Sequence, residues 1–396
     1  MTSIISQPEL LVDDFASRAD GDDWGPAIQR AIDVAATGLA DLGVPRGRTV
    51  RFGARDYRID TPIHLGQLEG HWGIRLVGYG AVLWGSNALD AHDWEPATDG
   101  DALLSPDGAP MFILARPGGA GGEPEGAGNM LFEGMGFDRE TPGNGAAIVV
   151  PENETPKSLT LRNLNVIHQN VGVGVNRQWQ THFDNSRFVN NLDGILLLPF
   201  TSNTTIERCT IRRNNRHGIM ARRNPDNLQG SVSLRIAGNV IESNNGYGVF
   251  LDRFRSTSII GNHIEANGGG IRTERALGDG ALLVAGNHFH GESGSPHGDV
   301  DHQGHIVLEG GSNPIGGVTV MQNNYSSGSN DIILLQDVHE TQASVFDVRP
   351  VVVEAGHGIP DGRKLGHANG LGVWEFDENE GANGEFSFRE FALESS

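Results

Sequence analysis

A short motif recurs through the middle of this chain and constrains its fold more than any other feature. Each copy has an alternating apolar pair, an Asn or Gly, an apolar residue, an Asn, and a Gly before another alternating pair. Five copies begin at Leu159, His182, Thr205, Arg235 and Ser258, and weaker copies begin at Leu282 and Val318. The apolar residues before the Asn turns are Val166, Phe188, Ile211, Ile241, Ile264, Phe289 and Tyr325. These markers lie 22 to 36 residues apart, a spacing typical of one coil of a β-solenoid.

The polar residues of the motif are predicted to be structural. Asn tolerates the left-handed backbone, and its amide can bond to the next coil, so the asparagines should stack. Glycine fits the sharp corners that follow. The predicted Asn column is Asn170, Asn191, Asn215, Asn245 and Asn267, and the predicted corner glycines are Gly172, Gly194, Gly218, Gly248 and Gly270.

The ends of the solenoid need protection, and the sequence predicts a cap at each end. A helix is expected over residues 22–40, with Asp22 or Asp23 as its N-cap. Its apolar face, which has a helical period, comprises Trp24, Ala27, Ile28, Ala31, Ile32 and Ala35. The predicted parts are an N-terminal segment with the capping helix (1–46), the parallel β-helix (47–350), and a C-terminal cap or tail with short strands (351–396). The expected fold class is all-β.

Two stretches carry a resemblance to a known group. VDDFASRADGDDWGPAIQRAIDVAA begins at Val12, TVRFGARDYRIDTPIHL begins at Thr49, and the Asn-rich coils follow. This order resembles the pectate-lyase-like superfamily, which includes phage tailspikes, polygalacturonase-related proteins and mannuronan epimerases. The resemblance implies a right-handed parallel β-helix that acts on carbohydrate.

A fainter resemblance concerns the segment that precedes the coils. The order of WGSNALDAHDW and LLSPDGAPMFILAR is similar to the fructan lyases, or inulin fructotransferases. That group implies a homotrimer and an intramolecular transfer reaction. Its two acidic positions fall near Asn185 and Leu196 here. The Asp-Pro-His-Asp signature of the epimerases is also missing, and the nearest string is Phe137-Asp138-Arg139-Glu140.

Composition and charge limit the partners. The 56 glycines indicate many turns, and the net charge of −21 disfavours nucleic acid and, more weakly, polyanionic glycans. The only cysteine, Cys209, is expected to be a small buried residue, and neither a metal site nor a cofactor is predicted. The sequence shows neither a membrane-spanning stretch nor an export signal. We therefore expect a cytoplasmic or virion-associated protein.

Functional side chains of a solenoid should point outward and align from coil to coil. After each corner glycine, the first and third residues are apolar and should point inward. The second and fourth should point outward, and they form the columns Leu196, Met220, Phe250, Arg272 and Leu198, Arg222, Asp252, Glu274.

The preferred catalytic pair in these columns is Asp252 and Glu274. Neighbouring strands lie about 4.8 Å apart, and adjacent carboxylates can divide into a proton donor and a base or nucleophile. A separation of about 5 Å suits a retaining or transfer reaction. Predicted substrate-binding residues are Met220, Arg222, Phe250, Arg253, Arg272 and Arg275. The alternative is a solvated ion-pair ladder on the solenoid surface.

Two secondary sites are possible. The column Arg212, Glu242, Glu265, His290 has the same pairing logic on the Asn-turn side. The loop HFHGESGSPHGDVDHQGH contains His288, His290, His297, Asp299, Asp301, His302 and His305. These side chains suit acid–base chemistry or a divalent ion, although their spacing matches no metal motif.

The predicted function is a carbohydrate-active enzyme, a glycoside hydrolase or polysaccharide lyase that cleaves or rearranges glycosidic bonds. Three alternatives remain open from the sequence. The first is a non-catalytic, tailspike-like glycan-binding protein. The second is a uronate lyase or epimerase, in which Arg222, Arg253 and Arg272 would hold the substrate carboxylate. The third is an enzyme acting on a small sugar or metabolite.

Overall fold

A computed structural model of the chain describes ten continuous stretches and a series of short segments. The continuous stretches are residues 9–37, 48–65, 73–92, 99–114, 130–151, 158–198, 201–222, 231–276, 281–291 and 317–326. The short segments are residues 94, 96, 305–309, 333–336, 344–346, 351–353, 364–366, 373–376 and 388–390.

Strands dominate the described residues. The N-terminal strands are β1 (Leu10–Leu11), β2 (Thr49–Arg51), β3 (Asp56–Ile59), β4 (Ile63–Leu65), β5 (Arg75–Gly85), β6 (Phe112–Leu114), β7 (Met130–Arg139) and β8 (Asn144–Val150). The repeating coils contain β9 (Leu159–Arg162), β10 (Asn165–Ile167), β11 (Gln169–Val175), β12 (Thr181–Asp184), β13 (Arg187–Val189), β14 (Asp193–Leu197), β15 (Thr204–Glu207), β16 (Thr210–Arg212), β17 (Ile219–Ala221), β18 (Ser231–Val232), β19 (Arg235–Ala237), β20 (Val240–Glu242), β21 (Tyr247–Arg255), β22 (Thr257–Ile260), β23 (His263–Glu265), β24 (Gly269–Ala276), β25 (Leu282–Ala285), β26 (His288–His290), β27 (Ile306–Glu309), β28 (Val318–Met321) and β29 (Asn324–Ser326). The last strands are β30 (Ile333–Gln336), β31 (Ser344–Phe346), β32 (Val351–Val353), β33 (Lys364–Gly366), β34 (Val373–Phe376) and β35 (Phe388–Glu390).

These strands form two long parallel sheets. Sheet B contains one strand from most coils, in the order β4, β6, β8, β11, β14, β17, β21, β24, β27, β30 and β32, with β18 added beside β21. Sheet A contains the remaining strands except β33–β35, which form a small antiparallel sheet. Each coil therefore contributes to both faces, as a parallel β-helix requires.

The coil register agrees with the sequence period. The seven marker residues pair directly from coil to coil in sheet A. The markers Val166, Phe188, Ile211, Ile241, Ile264 and Phe289 are fully buried. The predicted parallel β-helix is confirmed.

The predicted N-terminal helix is also present, as α1 (Gly25–Thr37). Asp23 Oδ1 accepts hydrogen bonds from the backbone N–H groups of Gly25 and Asp60, both at 2.9 Å. Asp23 thus joins the start of α1 to the first coil. The apolar face of α1 is buried against β2 and β4. None of the described helices is both long and apolar enough to span a bilayer.

The Asn column exists, but three of its five positions were predicted one residue too late. Its ladder is Asn191, Asn214, Asn244 and Asn267, linked from side chain to side chain at 2.8 to 3.2 Å. Asn215 is exposed and Asn245 is half-buried. In the first coil, the backbone N–H of Gln169, and not that of Asn170, donates to Asn191 Oδ1. The reason is a left-handed residue directly before each ladder position, such as Arg213 or Ser243, which sets the register of the turn.

A second ladder was missed. It lies at the turn between the two sheet A strands of each coil and consists of Asn239, Asn262, Asn287 and Asn323. The side-chain amides of successive members are hydrogen-bonded at 2.9 Å. Cys209 occupies the position below it, and its backbone N–H donates to Asn239 Oδ1 at 2.9 Å. Cys209 is buried, as predicted.

The predicted reason for the glycine column was wrong. None of these glycines has a positive φ, and most lie within sheet B strands rather than at corners. They are glycines because successive coils approach too closely for a side chain. A Cβ at Gly172 would lie 2.3 Å from Gly194 O, and one at Gly194 would lie 2.5 Å from Gly218 O.

Candidate functional site

The outward column of sheet B pairs as predicted, but its lower half is not exposed. Leu196, Met220, Phe250 and Arg272 are direct neighbours on successive strands. Leu196 and Met220 are nevertheless buried, because Leu104 and Trp94 pack over them. Leu198 is buried in the same outer cluster. Met220 therefore contributes to packing, which corrects its predicted position on an open surface.

The covering segment contains two short helices, α2 (Asn87–Asp90) and α3 (Asp99–Ala102). Arg139 anchors it from below. The Arg139 guanidinium forms an ion pair with Asp90 and donates to Gln169 Oε1 at 2.8 Å and to Ala146 O at 3.1 Å. Burial lowers the pKa of Arg139 to about 10, although Asp90 opposes this shift. Arg139, which lies in the string nearest to the missing epimerase signature, thus has a structural role.

The predicted acidic pair lies on two neighbouring strands of sheet B. Asp252 on β21 pairs in register with Glu274 on β24, and Glu274 pairs with Glu309 on β27. The side chains of Asp252 and Glu274 therefore share one face of neighbouring strands. Asp252 is 5% exposed, and the Glu274 side chain is 26% exposed. Their adjacency agrees with the expectation, while their catalytic roles remain a prediction.

Arg272 links the acidic pair to the aromatic residues. Its Nη2 lies 2.9 Å from Glu274 Oε1, and its Nη1 donates to the Tyr247 hydroxyl at 2.9 Å. Arg222 directly follows β17 and Arg253 lies within β21; both are half-buried, and Arg253 has a left-handed backbone with φ of 61°. The Arg275 side chain lies outside the described part of the structure.

An aromatic stack completes the site. The His217 ring stacks on Phe250 with centroids 5.1 Å apart and on Tyr247 at 5.9 Å. The Tyr247 backbone N–H donates to His217 Nδ1 at 3.0 Å, so a neutral His217 carries its proton on Nε2. Because the ring is fixed by stacking and by this bond, Nε2 has a defined orientation.

Sequence reasoning missed His217 and Tyr247. They directly precede the column glycines Gly218 and Gly248, in the same position as Asp193 one coil earlier. The residue before each column glycine therefore forms a further column that can be recognised in the sequence.

The secondary column is also in register. Arg212, Glu242, Glu265 and His290 are successive neighbours in sheet A. Arg212 Nη1 lies 2.9 Å from Glu242 Oε1. Of the His-rich loop, His288 and His290 are described and belong to β26. His305 is buried and packs against Phe289 with ring centroids 5.4 Å apart, so it belongs to the core. His297, Asp299, Asp301 and His302 lie outside the described residues.

A further group of possible metal ligands stands elsewhere on sheet A. Ligand atoms of His182, Asp184 and Glu207 lie within 4.8 Å of one another. The Arg208 guanidinium already spans this group, at 2.6 Å from Asp184 Oδ1 and 3.1 Å from Glu207 Oε1. A cation bound there would have to displace Arg208.

Comparison with known proteins agrees with the architecture. A family model described as the right-handed beta helix region matches residues 139–289. No curated protein sequence matches the chain.

Several solved structures share the fold at low sequence identity. PfbA, a surface adhesin of Streptococcus pneumoniae, is 15% identical with a TM-score of 0.55, over 97% of this chain and all of that chain. A polygalacturonase from Erwinia carotovora ssp. carotovora is 13% identical with a TM-score of 0.50, over 85% of this chain and 95% of that chain. The tailspike protein of Acinetobacter phage vB_ApiP_P1 is 15% identical with a TM-score of 0.50, over 90% of this chain but 57% of that chain. The coil register, the match of residues 139–289 to the family model and these structures together show that the chain has the right-handed parallel β-helix fold.

Proposed function

We propose that this protein is a carbohydrate-active β-helix enzyme that breaks or rearranges glycosidic bonds on the outer face of sheet B. The observation that carries the proposal is the register of β21 and β24, which brings Asp252 and Glu274 side by side. The solved structures show only the fold, but one of the proteins with this fold, the polygalacturonase, has a name that indicates a glycan substrate.

The two carboxyl groups have different surroundings, which suits them to different roles. Glu274 is ion-paired with Arg272 and more exposed, so we assign it as the carboxylate that acts as base or nucleophile. Asp252 is nearly buried beside it, and we assign it as the proton donor. Neighbouring parallel strands lie about 4.8 Å apart, so the pair suits a retaining or transfer reaction better than an inverting one.

The aromatic stack and the arginines supply the binding surface. Phe250 is half-buried beside Arg272 in the same column, and sugar rings pack well against such flat apolar faces. Arg222 and Arg253 add hydrogen-bond donors. The net charge of −21 favours a neutral saccharide over a polyuronate.

The test is incubation with a panel of neutral and acidic glycans, followed by product analysis. Glu274→Gln and Asp252→Asn should each lower turnover at least about a hundredfold, the usual size of a general acid–base contribution. Glu242→Gln is a matched control, because Glu242 is 25% exposed and pairs with Arg212 at 2.9 Å, whereas Glu274 is 26% exposed and pairs with Arg272 at 2.9 Å. Full turnover in both site variants would refute the assignment. If turnover is lost only in Glu242→Gln, the catalytic assignment belongs instead to the secondary column that contains Glu242.

Glycan binding without cleavage is the second candidate. The Arg272–Glu274 ion pair favours it, because ion pairs are also common on the surfaces of non-catalytic solenoids. A wild-type protein that binds a glycan without forming product, and that loses binding in Phe250→Ala, would support this function. An unsaturated product from an acidic glycan would instead indicate the lyase alternative, with Arg272 holding the substrate carboxylate.

A further inference from the structure

Four side chains form a compact group on the outer face of sheet A, away from the site on sheet B. We define the histidine patch as His263, Glu265, His288 and His290. His263 and Glu265 lie on β23, and His288 and His290 lie on β26. His263 pairs in register with His288, and Glu265 pairs with His290. Because alternate residues of a strand share a face, all four side chains project on the same side of the sheet.

The nitrogen atoms of two histidines approach one carboxylate from neighbouring coils. His263 Nε2 lies 2.7 Å from Glu265 Oε2, and His290 Nε2 lies 3.9 Å from Glu265 Oε1. The His288 ring stacks on His263 with centroids 5.2 Å apart and on His290 at 6.4 Å. Two imidazoles thus lie beside Glu265, and the ring of His288 stacks on both of them.

The side chains that affect the Glu265 carboxyl group are histidines. Its pKa is lowered mainly by the hydrogen bond from His263, against the opposing effect of burial, with further contributions from His290 and His288. Neutral imidazole nitrogen and carboxylate oxygen are donors that zinc accepts.

Comparison with the other His–carboxylate group on sheet A strengthens this view. His182 lies 3.0 Å from Glu207, and its side chain is 40% exposed, close to the 39% of His263. Arg208 neutralises the carboxylates of that group, as described above. The partners of Glu265 are instead the imidazoles of His263 and His290, at 2.7 and 3.9 Å. A guanidinium therefore spans the carboxylates of the His182 group, whereas imidazole nitrogens, which are metal donors, lie beside Glu265.

We propose that the histidine patch binds a divalent transition-metal ion, with Zn²⁺ as the ion to test. His263 Nε2, His290 Nε2 and a Glu265 oxygen are the proposed ligands, and His288 can supply a fourth. Zinc–nitrogen distances are about 2.0–2.1 Å, so the imidazoles must close around the carboxylate. Their side chains are 39% and 45% exposed and can rotate, whereas the paired strands fix their origins. The bound ion links two neighbouring coils.

The experiment is calorimetric titration of the full chain with Zn²⁺ at about pH 7.5, where imidazole is largely neutral. Binding should weaken at least about tenfold in His290→Ala and in the nearly isosteric Glu265→Gln, because each variant removes one proposed ligand. Ca²⁺ should bind poorly, because it prefers an all-oxygen site.

His182→Ala is the matched control and should leave the Zn²⁺ affinity unchanged. A second readout is thermal: Zn²⁺ should raise the Tm of the wild type and of His182→Ala but not of the double variant His263→Ala/His290→Ala. Undiminished Zn²⁺ binding in that double variant would overturn the proposal, as would the absence of Zn²⁺ binding to the wild type. The glycan assay does not enter this test, so its outcome is independent of the proposed function.

Discussion

Replacing Asn262 by Ala should destabilise the protein strongly, although Asn262 is not among the residues of the candidate site on sheet B. Its Nδ2 donates to Ile236 O at 3.0 Å and to Asn287 Oδ1 at 2.9 Å. Its Oδ1 accepts from the backbone N and from Nδ2 of Asn239, at 3.0 and 2.9 Å. These bonds join three successive coils, and Asn262 is only 2% exposed. Water therefore cannot replace the lost partners without entering the turn.

The magnitude follows from these bonds. Four hydrogen bonds of about 1 kcal/mol each give a loss of about 4 kcal/mol in the free energy of unfolding. That is a large share of the roughly 5–15 kcal/mol typical of natural domains. Urea denaturation followed by circular dichroism, with the wild type and the variant side by side, measures the difference.

Asn185→Gly provides the comparison. Asn185 donates to Asn163 Oδ1 at 2.7 Å, but this pair is exposed, and its left-handed φ of 45° is compatible with glycine. Its loss should stay within about 1 kcal/mol, because water can replace an exposed bond. Equal destabilisation by the two substitutions would refute the argument that the buried ladder holds the coils together.

Three further predictions concern packing, the buried ion pair and the thiol. Gly194→Ala should cost about 1–3 kcal/mol, measured by urea denaturation, because its Cβ would lie 2.5 Å from Gly218 O. Arg139→Ala should cost about 3–5 kcal/mol in the same assay, because it leaves the Asp90 carboxylate without its buried partner. Burial raises the pKa of Cys209 to about 12, so its thiol stays protonated near pH 8. A thiol reagent should therefore label the protein in denaturant but not in its native state.

Matched variants distinguish these specific causes from a general loss of stability on substitution. Gly261→Ala introduces a side chain at φ of +64° but meets nothing within 4 Å, so it tests strain without overlap. Arg58→Ala removes an ion pair with Asp60 whose arginine side chain is 45% exposed, and it should cost at most about 1 kcal/mol. If Gly194→Ala is no worse than Gly261→Ala, or Arg139→Ala no worse than Arg58→Ala, the proposed cause is wrong. Rapid labelling of native Cys209 would contradict its burial.

The sequence predicted the coils because their period is local. Each apolar marker and each turn repeats within a few dozen residues, and parallel strands can pair only if these repeats stack. From that stacking alone, Asp252 and Glu274 became neighbours, although 22 positions separate them in the chain. The error in the Asn ladder was one residue, because Asn214 and Asn215 are adjacent asparagines and only the left-handed turn at Arg213 selects between them.

The sequence by itself determined the solenoid, its capping helix and the columns of residues that meet across coils. Only the tertiary structure decided which outward residues remain accessible. The segment with Trp94 and Leu104 covers Leu196 and Met220, and the buried Arg139 holds it there. This packing depends on contacts between the coils and a segment that lies outside the repeat, so the repeat in the sequence does not predict it. The stacking of His217 on Phe250, and hence the shape of the candidate site, was fixed in the same way.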